Sequence, residues 1–174
     1  MATTADLLAG LKQKIITLGE QQQSGYYFSN ALQMYYTENM EFSIESPPRL
    51  TSCANLLSVK FLNGVKKLQQ QHLFGCSNLQ YLYLPNTLTW IGSGTAQFNC
   101  PNLKIIDLED GFNCNGCVFG YSTLYSKETI LNMLNALADR TGDTAYTLTL
   151  GTENLAKLTE EEKQIATNKN WNLA

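Results

Sequence analysis

Apolar residues return along the middle of this chain in a fixed short pattern. Three segments align without gaps: Cys53-Ala54-Asn55-Leu56-Leu57-Ser58-Val59-Lys60-Phe61, Cys76-Ser77-Asn78-Leu79-Gln80-Tyr81-Leu82-Tyr83-Leu84 and Cys100-Pro101-Asn102-Leu103-Lys104-Ile105-Ile106-Asp107-Leu108. Each reads Cys-x-Asn-Leu-x-x-Φ-x-Φ, with Φ apolar, and an apolar residue follows four positions later as Val65, Leu88 or Phe112. Two apolar residues around one middle residue have period two, so in an extended strand both point to one face. Each segment therefore predicts a short strand whose middle residue, Lys60, Tyr83 or Asp107, faces away from the core. The residues just before the triplets, Ser58, Tyr81 and Ile105, form a second outward column.

The cysteines that open the segments lie 23 and 24 residues apart, inside the roughly 20–29-residue period of leucine-rich repeats. One such coil cannot bury its apolar face alone, whereas stacked neighbours share a continuous core. The cysteine suits a small buried hydrophobic position. The asparagine suits a turn, its amide satisfying backbone groups where the coil bends. In the middle segment the run continues as Leu84-Pro85-Asn86-Thr87-Leu88-Thr89-Trp90-Ile91-Gly92, and Phe98-Asn99-Cys100 opens the next. This resembles the leucine-rich repeats of cell-surface proteins from gut and oral bacteria, often called BspA-like, which also occur in their phages. The resemblance covers residues 50–112. It departs from the usual form in carrying Leu-Pro once, where the neighbouring copies have Phe61-Leu62 and Leu108-Glu109. It implies a short leucine-rich-repeat solenoid that presents a surface rather than catalysing a reaction.

The flanks read differently. Ser126 precedes a helical pattern with Ile130, Leu131, Leu134, Leu137 and Ala138 on one face and Gly142 as the expected stop. Thr147-Leu148-Thr149-Leu150-Gly151 alternates like a strand. Thr159 and Glu162 have capping-box spacing, predicting a helix that carries Ile165 and ends near Asn168, and Trp171 and Leu173 close the chain. This block resembles the terminal module of the same proteins, and a repeat stack needs such a cap to cover its last coil. Upstream, Met40–Ile44 predicts a first strand, Pro47-Pro48 a turn, and the aromatic stretch from Tyr26 to Tyr36 an N-terminal cap. Residues 5–23 predict a helix, with Gly25 near its end. Leu8, Leu11, Ile15 and Leu18 are spaced 3-4-3, which suits a short coiled coil and equally a helix packed on the end of the repeats. The expected architecture is α+β: an N-terminal helix for oligomerisation or attachment (1–25), an N-terminal cap (26–49), leucine-rich repeats (50–125) and an α/β capping module (126–174).

Composition narrows the partners. Hydrophobic residues make up 44% of the chain, enough for a core, but only 16% is charged, against the usual quarter or so. Such a polar, weakly charged surface fits an extracellular or particle-borne protein. A net charge of -3 without a basic stripe excludes nucleic acid as a partner, since phosphate binding needs clustered Lys and Arg. The N-terminus has no positively charged region before its apolar residues, which Lys12 and Lys14 interrupt. No later stretch reaches the roughly 18 apolar residues of a span, so neither a secretory signal nor membrane insertion is expected.

Candidate chemistry is sparse. His72, the single histidine, has no acidic neighbour and gives no sign of a nucleophile–base pair. No phosphate-binding glycine loop is present. Cys114-Asn115-Gly116-Cys117 is a lone C-x-x-C without the second ligand pair that structural zinc needs, and reads as two thiols in a turn. The Glu160–Glu162 run reads as a helix start. No catalytic residue, metal or cofactor is therefore expected. Five cysteines leave at least one outside any intrachain disulfide.

The candidate binding residues are Lys60, Tyr81, Tyr83 and Asp107, because tyrosine offers apolar area with a polar tip and is common at recognition surfaces. The expected ligand is a host surface protein or a glycan. The role expected is that of a phage virion component, a short fibre or capsid decoration protein, trimerising through Leu8, Leu11, Ile15 and Leu18 and contacting other virion proteins. The alternative is a bacterial cell-surface adhesion or protein-interaction module.

Overall fold

The computed structural model describes residues 39–47, 49–92 and 98–174. The predicted helix over 5–23, its seam of Leu8, Leu11, Ile15 and Leu18, and the aromatic stretch from Tyr26 to Tyr36 lie outside the described residues.

Four strands form one parallel sheet in the order β1 (Asn39–Phe42), β2 (Ser58–Phe61), β4 (Tyr81–Leu84) and β6 (Ile105–Leu108). Two shorter strands, β3 (Lys67–Leu68) and β5 (Trp90–Ile91), pair in parallel as a second sheet. Each repeat thus contributes to the large sheet, turns, and returns to the next strand of the same sheet. The register keeps equivalent residues abreast: Met40 beside Val59, Val59 beside Leu82, and Leu82 beside Ile106. With side chains alternating between faces, Met40, Phe42, Val59, Phe61, Leu82, Leu84, Ile106 and Leu108 all go inward and are buried. A fully buried Leu or Val contributes about 1.5–3 kcal/mol relative to an exposed one, so a one-residue slip of any strand would cost several such side chains at once.

The first strand is shorter than its sequence predicts. It spans Asn39–Phe42 rather than reaching Ile44. The Phe42 carbonyl accepts from Leu62 N, and the Glu45 carbonyl accepts from both Lys66 and Lys67 N. These bonds draw Ser43 and Ile44 into the connection towards the second sheet.

Cysteine and asparagine hold the bends. In every copy the Cys carbonyl accepts from the amide of the Leu three residues on: Leu56, Leu79 and Leu103. The asparagine inside that turn reaches outwards. Asn78 Nδ2 donates to the Ala54 carbonyl and Asn102 Nδ2 to the Ser77 carbonyl, each at 2.8 Å. Its amide therefore links one coil to the coil before it. The thiols run in the same direction, Cys76 Sγ donating to Leu50 O at 3.0 Å and Cys100 Sγ to Leu73 O at 3.2 Å. The Leu-Pro that occurs once makes no difference to the next bend: Pro85 O accepts from Leu88 N, as Leu62 O accepts from Val65 N. Gly92 lies where two coils approach closely, and a Cβ there would collide with the backbone of Gln70.

Beyond the repeats come β7 (Cys117–Val118), α1 (Lys127–Ala136), β8 (Tyr146–Thr149), α2 (Thr152–Leu155), α3 (Glu160–Thr167) and β9 (Trp171–Leu173). Strands β7, β8 and β9 form a third parallel sheet. Ser126 caps α1, its hydroxyl accepting from Thr129 N at 3.0 Å. That helix buries Ile130, Met133 and Leu134 and packs against β6 at the edge of the large sheet. It ends at Ala136 instead of running on towards Gly142. Leu137 turns extended to pair with Phe112, the Ala136 carbonyl accepting from Gly111 and Phe112 N. The repeat's own pairing thus overrides the helical pattern, and Leu137 and Ala138 leave the helical face expected of them. Lys169 Nζ then donates to the carbonyls of Leu134, Asn135 and Leu137, closing the helix end.

The capping box of α3 forms as its spacing predicts. Glu162 N donates to Thr159 Oγ1, and Thr159 N to Glu162 Oε2. The buried apolar side chains from Met40 to Trp171 belong to one cluster, so repeats and terminal module share a core.

Candidate functional site

The outward face of the large sheet carries two rows set by register. One row runs Asn39, Ser58, Tyr81, Ile105, and the other Glu41, Lys60, Tyr83, Asp107. Lys60, Tyr83 and Asp107 therefore lie abreast in one row and Tyr81 in the other, and all four share one face. None stands alone. Lys60 Nζ pairs with Glu41 at 3.0 Å, and Tyr81 donates its hydroxyl to Asp107 Oδ2 at 3.0 Å. Ser58 donates to Asn39 in the same row.

Partial burial, then the hydrogen bond to Asp107, pushes the Tyr81 phenol up to about 12. Tyr83 is raised too, by burial first and by the charges of Glu109 and Asp107 after it. Both therefore keep their protons at neutral pH and remain donors. The Tyr83 side of the face is electronegative. Glu109 Oε2 accepts from Asn86 N at 2.9 Å, and Asn86 Nδ2 donates to the Asp110 carbonyl. Among the described residues no salt bridge engages Asp107, Glu109 or Asp110.

Where α1 meets the edge of β6, the face continues into a shallow cleft of about 450 Å³ lined by Lys104, Ile105, Leu124, Ser126, Glu128, Thr129 and Asn132. Ile105 and Leu124 are each 48% exposed.

Glu41, Glu109 and Leu124 were not among the residues predicted for this surface. Glu41 was legible, because Met40-Glu41-Phe42 repeats the apolar-x-apolar triplet and puts Glu41 abreast of Lys60. Glu109 follows its strand and enters through the turn. Leu124 lies on a connection, and only the packing of α1 brings it to Ile105.

Residues that could have suggested chemistry are placed inside or elsewhere. His72 is buried with its ring edge-on to Phe61, centroids 5.3 Å apart, and its Nδ1 accepts from Gln69 N. All five cysteines are free and buried. Burial, with a contribution from the Cys76 charge, holds the Cys100 thiol far above its ordinary range, and burial beside Cys114 does so for Cys117. Thiols so placed are poor nucleophiles and poor metal ligands. Among the described residues no group of three or more His, Cys, Asp and Glu side chains could hold a metal ion, and no helix is long and apolar enough to cross a membrane.

Parallel strands contributed one per repeat, a Cys-Asn turn that ties one coil to the last, and a glycine where two coils meet closely define a leucine-rich-repeat protein of mixed α/β content. The family model described as BspA type leucine rich repeat region, with six copies, matches residues 49–140, just over half the chain, and the chain belongs to that family. No curated protein and no solved structure matches it.

Proposed function

We propose that this chain is a non-enzymatic interaction module, a short solenoid whose working surface is the outward face of the large sheet. One observation carries the reading. Tyr81 and Tyr83 stand side by side on that face, with their hydroxyls protonated and their neighbours paired. A flat, pre-arranged aromatic surface loses little freedom on binding, and this favours recognition. Membership of the BspA-type repeat family supports an interaction or adhesion role. The buried placement of the single histidine supports a surface without acid–base chemistry. The ligand is a host surface protein or a glycan. Tyr83→Ala should reduce binding of the purified protein to host cells at least tenfold while leaving the fold intact, and unchanged binding would remove this surface from the function.

The weakly charged exterior, 16% charged residues, supports display outside the producing cell. In the version that follows from the resemblance to phage proteins, the chain is a virion component, a short fibre or capsid decoration protein, trimerised through Leu8, Leu11, Ile15 and Leu18. The bacterial cell surface is the second setting, and the family favours it. Mass spectrometry of purified phage particles and of the bacterial surface fraction separates the two by where the chain is found. Light scattering on the full chain and on one lacking residues 1–24 tests the trimer. A monomeric mass for both would end that part of the proposal.

A further inference from the structure

We propose that the sheet face and the cleft beside it together bind an extended polypeptide segment that carries an arginine or lysine and, next along the same face, an apolar side chain. This rests on the outward sheet face being the recognition surface and goes further by naming what the surface takes.

The charge around the tyrosines is one-sided. Lys60 is neutralised by Glu41 at 3.0 Å. Among the described residues no cation pairs with Asp107 or Glu109, whose hydrogen-bond donors are neutral, among them the Tyr81 hydroxyl and the Asn86 amide. A neutral sugar would leave both carboxylates without a counter-charge, whereas a guanidinium or ammonium can sit over a tyrosine ring and face a carboxylate together. Apolar exposure lies one row away. Tyr81 pairs in register with Ile105, and Ile105 shares the cleft with Leu124, both 48% exposed.

The two rows are separated by one residue along the strands. Residues i and i+2 of an extended partner point the same way at a spacing of roughly 6.5–7 Å. A basic residue at Tyr83–Asp107–Glu109 therefore brings an apolar residue two positions on over Ile105 and into the cleft.

The test uses the full chain and three probes: a short serine-rich peptide carrying one arginine and, two positions on, a valine; the same peptide with glutamate in place of the arginine; and a neutral chito-oligosaccharide. Binding is read by amide chemical shifts at Tyr81, Tyr83, Ile105 and Leu124 and by titration calorimetry. The arginine peptide should bind at these positions and the glutamate peptide should not. Combined Asp107→Asn and Glu109→Gln should weaken the arginine peptide at least tenfold, whereas Glu153→Gln with Glu161→Gln, an equal change of charge elsewhere, should leave it unchanged. Circular dichroism confirms that each variant is folded.

Equal weakening by both pairs would show non-specific attraction and overturn the proposal. Oligosaccharide binding at the tyrosines without peptide binding would overturn it too, while leaving the sheet face as the recognition surface. No shift with any probe also overturns it, and the host-cell assay with Tyr83→Ala then decides separately whether the face is used at all.

Discussion

Asn102 reaches out of its own turn and donates its side-chain amide to the carbonyl of Ser77, one coil earlier, at 2.8 Å. Asn78 does the same to Ala54. The repeated asparagine is thus a rivet between neighbours, and the period of the sequence becomes the spacing of the stack. A typical hydrogen bond of this kind contributes about 0.5–1.5 kcal/mol net. Asn102→Ala should destabilise the protein by about 1 kcal/mol in urea unfolding, and Asn78→Ala by a similar amount. No change in either midpoint would mean that strand pairing and apolar packing hold the coils without help from the asparagine amides.

Gly92 closes the motif where β5 leaves the second sheet, and it has no room for a side chain because the Gln70 backbone lies against it. Gly92→Ala forces two coils apart. The expected loss is about 1–3 kcal/mol, the usual range for overpacking. An unchanged melting temperature would show that the glycine is there for another reason.

Lys169 closes α1 from the far end of the chain, donating to three carbonyls. Hydrogen bonds to a charged group contribute about 1.5–3 kcal/mol when shielded from water, and less here because the lysine is partly exposed. Lys169→Met should cost roughly 1–2 kcal/mol and raise amide exchange first at Leu134–Leu137. Uniform loss of protection along the whole chain would contradict a local capping role.

The five cysteines should be silent towards Ellman's reagent at pH 8 in the native protein and react fully in guanidinium, since all five are buried out of reach of the reagent. Rapid labelling of any one of them without denaturant would show that its coil opens.

Tyr81 gives a pH dependence with a definite sign. Its phenol ionises at about 12 in the folded protein against 10.0 for the ordinary group, so between these values the folded state holds the proton that the unfolded state has released. Its stabilising contribution is complete below pH 10 and is lost as pH rises to about 12, by linkage. Tyr83 and Tyr125, also raised, add to the fall. Tyr81→Phe should make that fall shallower in unfolding curves taken across the range. A slope identical to the parent protein would place Tyr81 in open water.

The repeat was readable because its pattern is compact and recurs. A cysteine, an asparagine one residue before the end of a turn and an alternating triplet all fall within nine residues, and three copies in phase fix which side is inside. Other features depend on partners distant in sequence. Helix α1 stops at Ala136 because Leu137 pairs with Phe112, which no helical periodicity near Leu137 reveals. The short strand Cys117–Val118 is defined by its partner Leu148–Thr149 and carries no pattern of its own. The outward positions of Lys60, Tyr81, Tyr83 and Asp107 followed from alternation, whereas the pairing of Tyr81 with Asp107 crosses one strand diagonally and needs the twist and spacing of the actual sheet.

Through-hydrogen-bond scalar couplings measured by NMR bear most directly on the stacked-repeat architecture. Couplings to the Leu57 carbonyl should appear from Gln80 N and Tyr81 N, and couplings to the Gln80 carbonyl from Lys104 N and Ile105 N, the shared bonds that set neighbouring repeats in register. Couplings of the same amides to carbonyls one residue away, Ser58 in place of Leu57 and Tyr81 in place of Gln80, would turn neighbouring strands to opposite faces, and the absence of couplings would dissolve the sheet; either contradicts both the fold and the surface built on it.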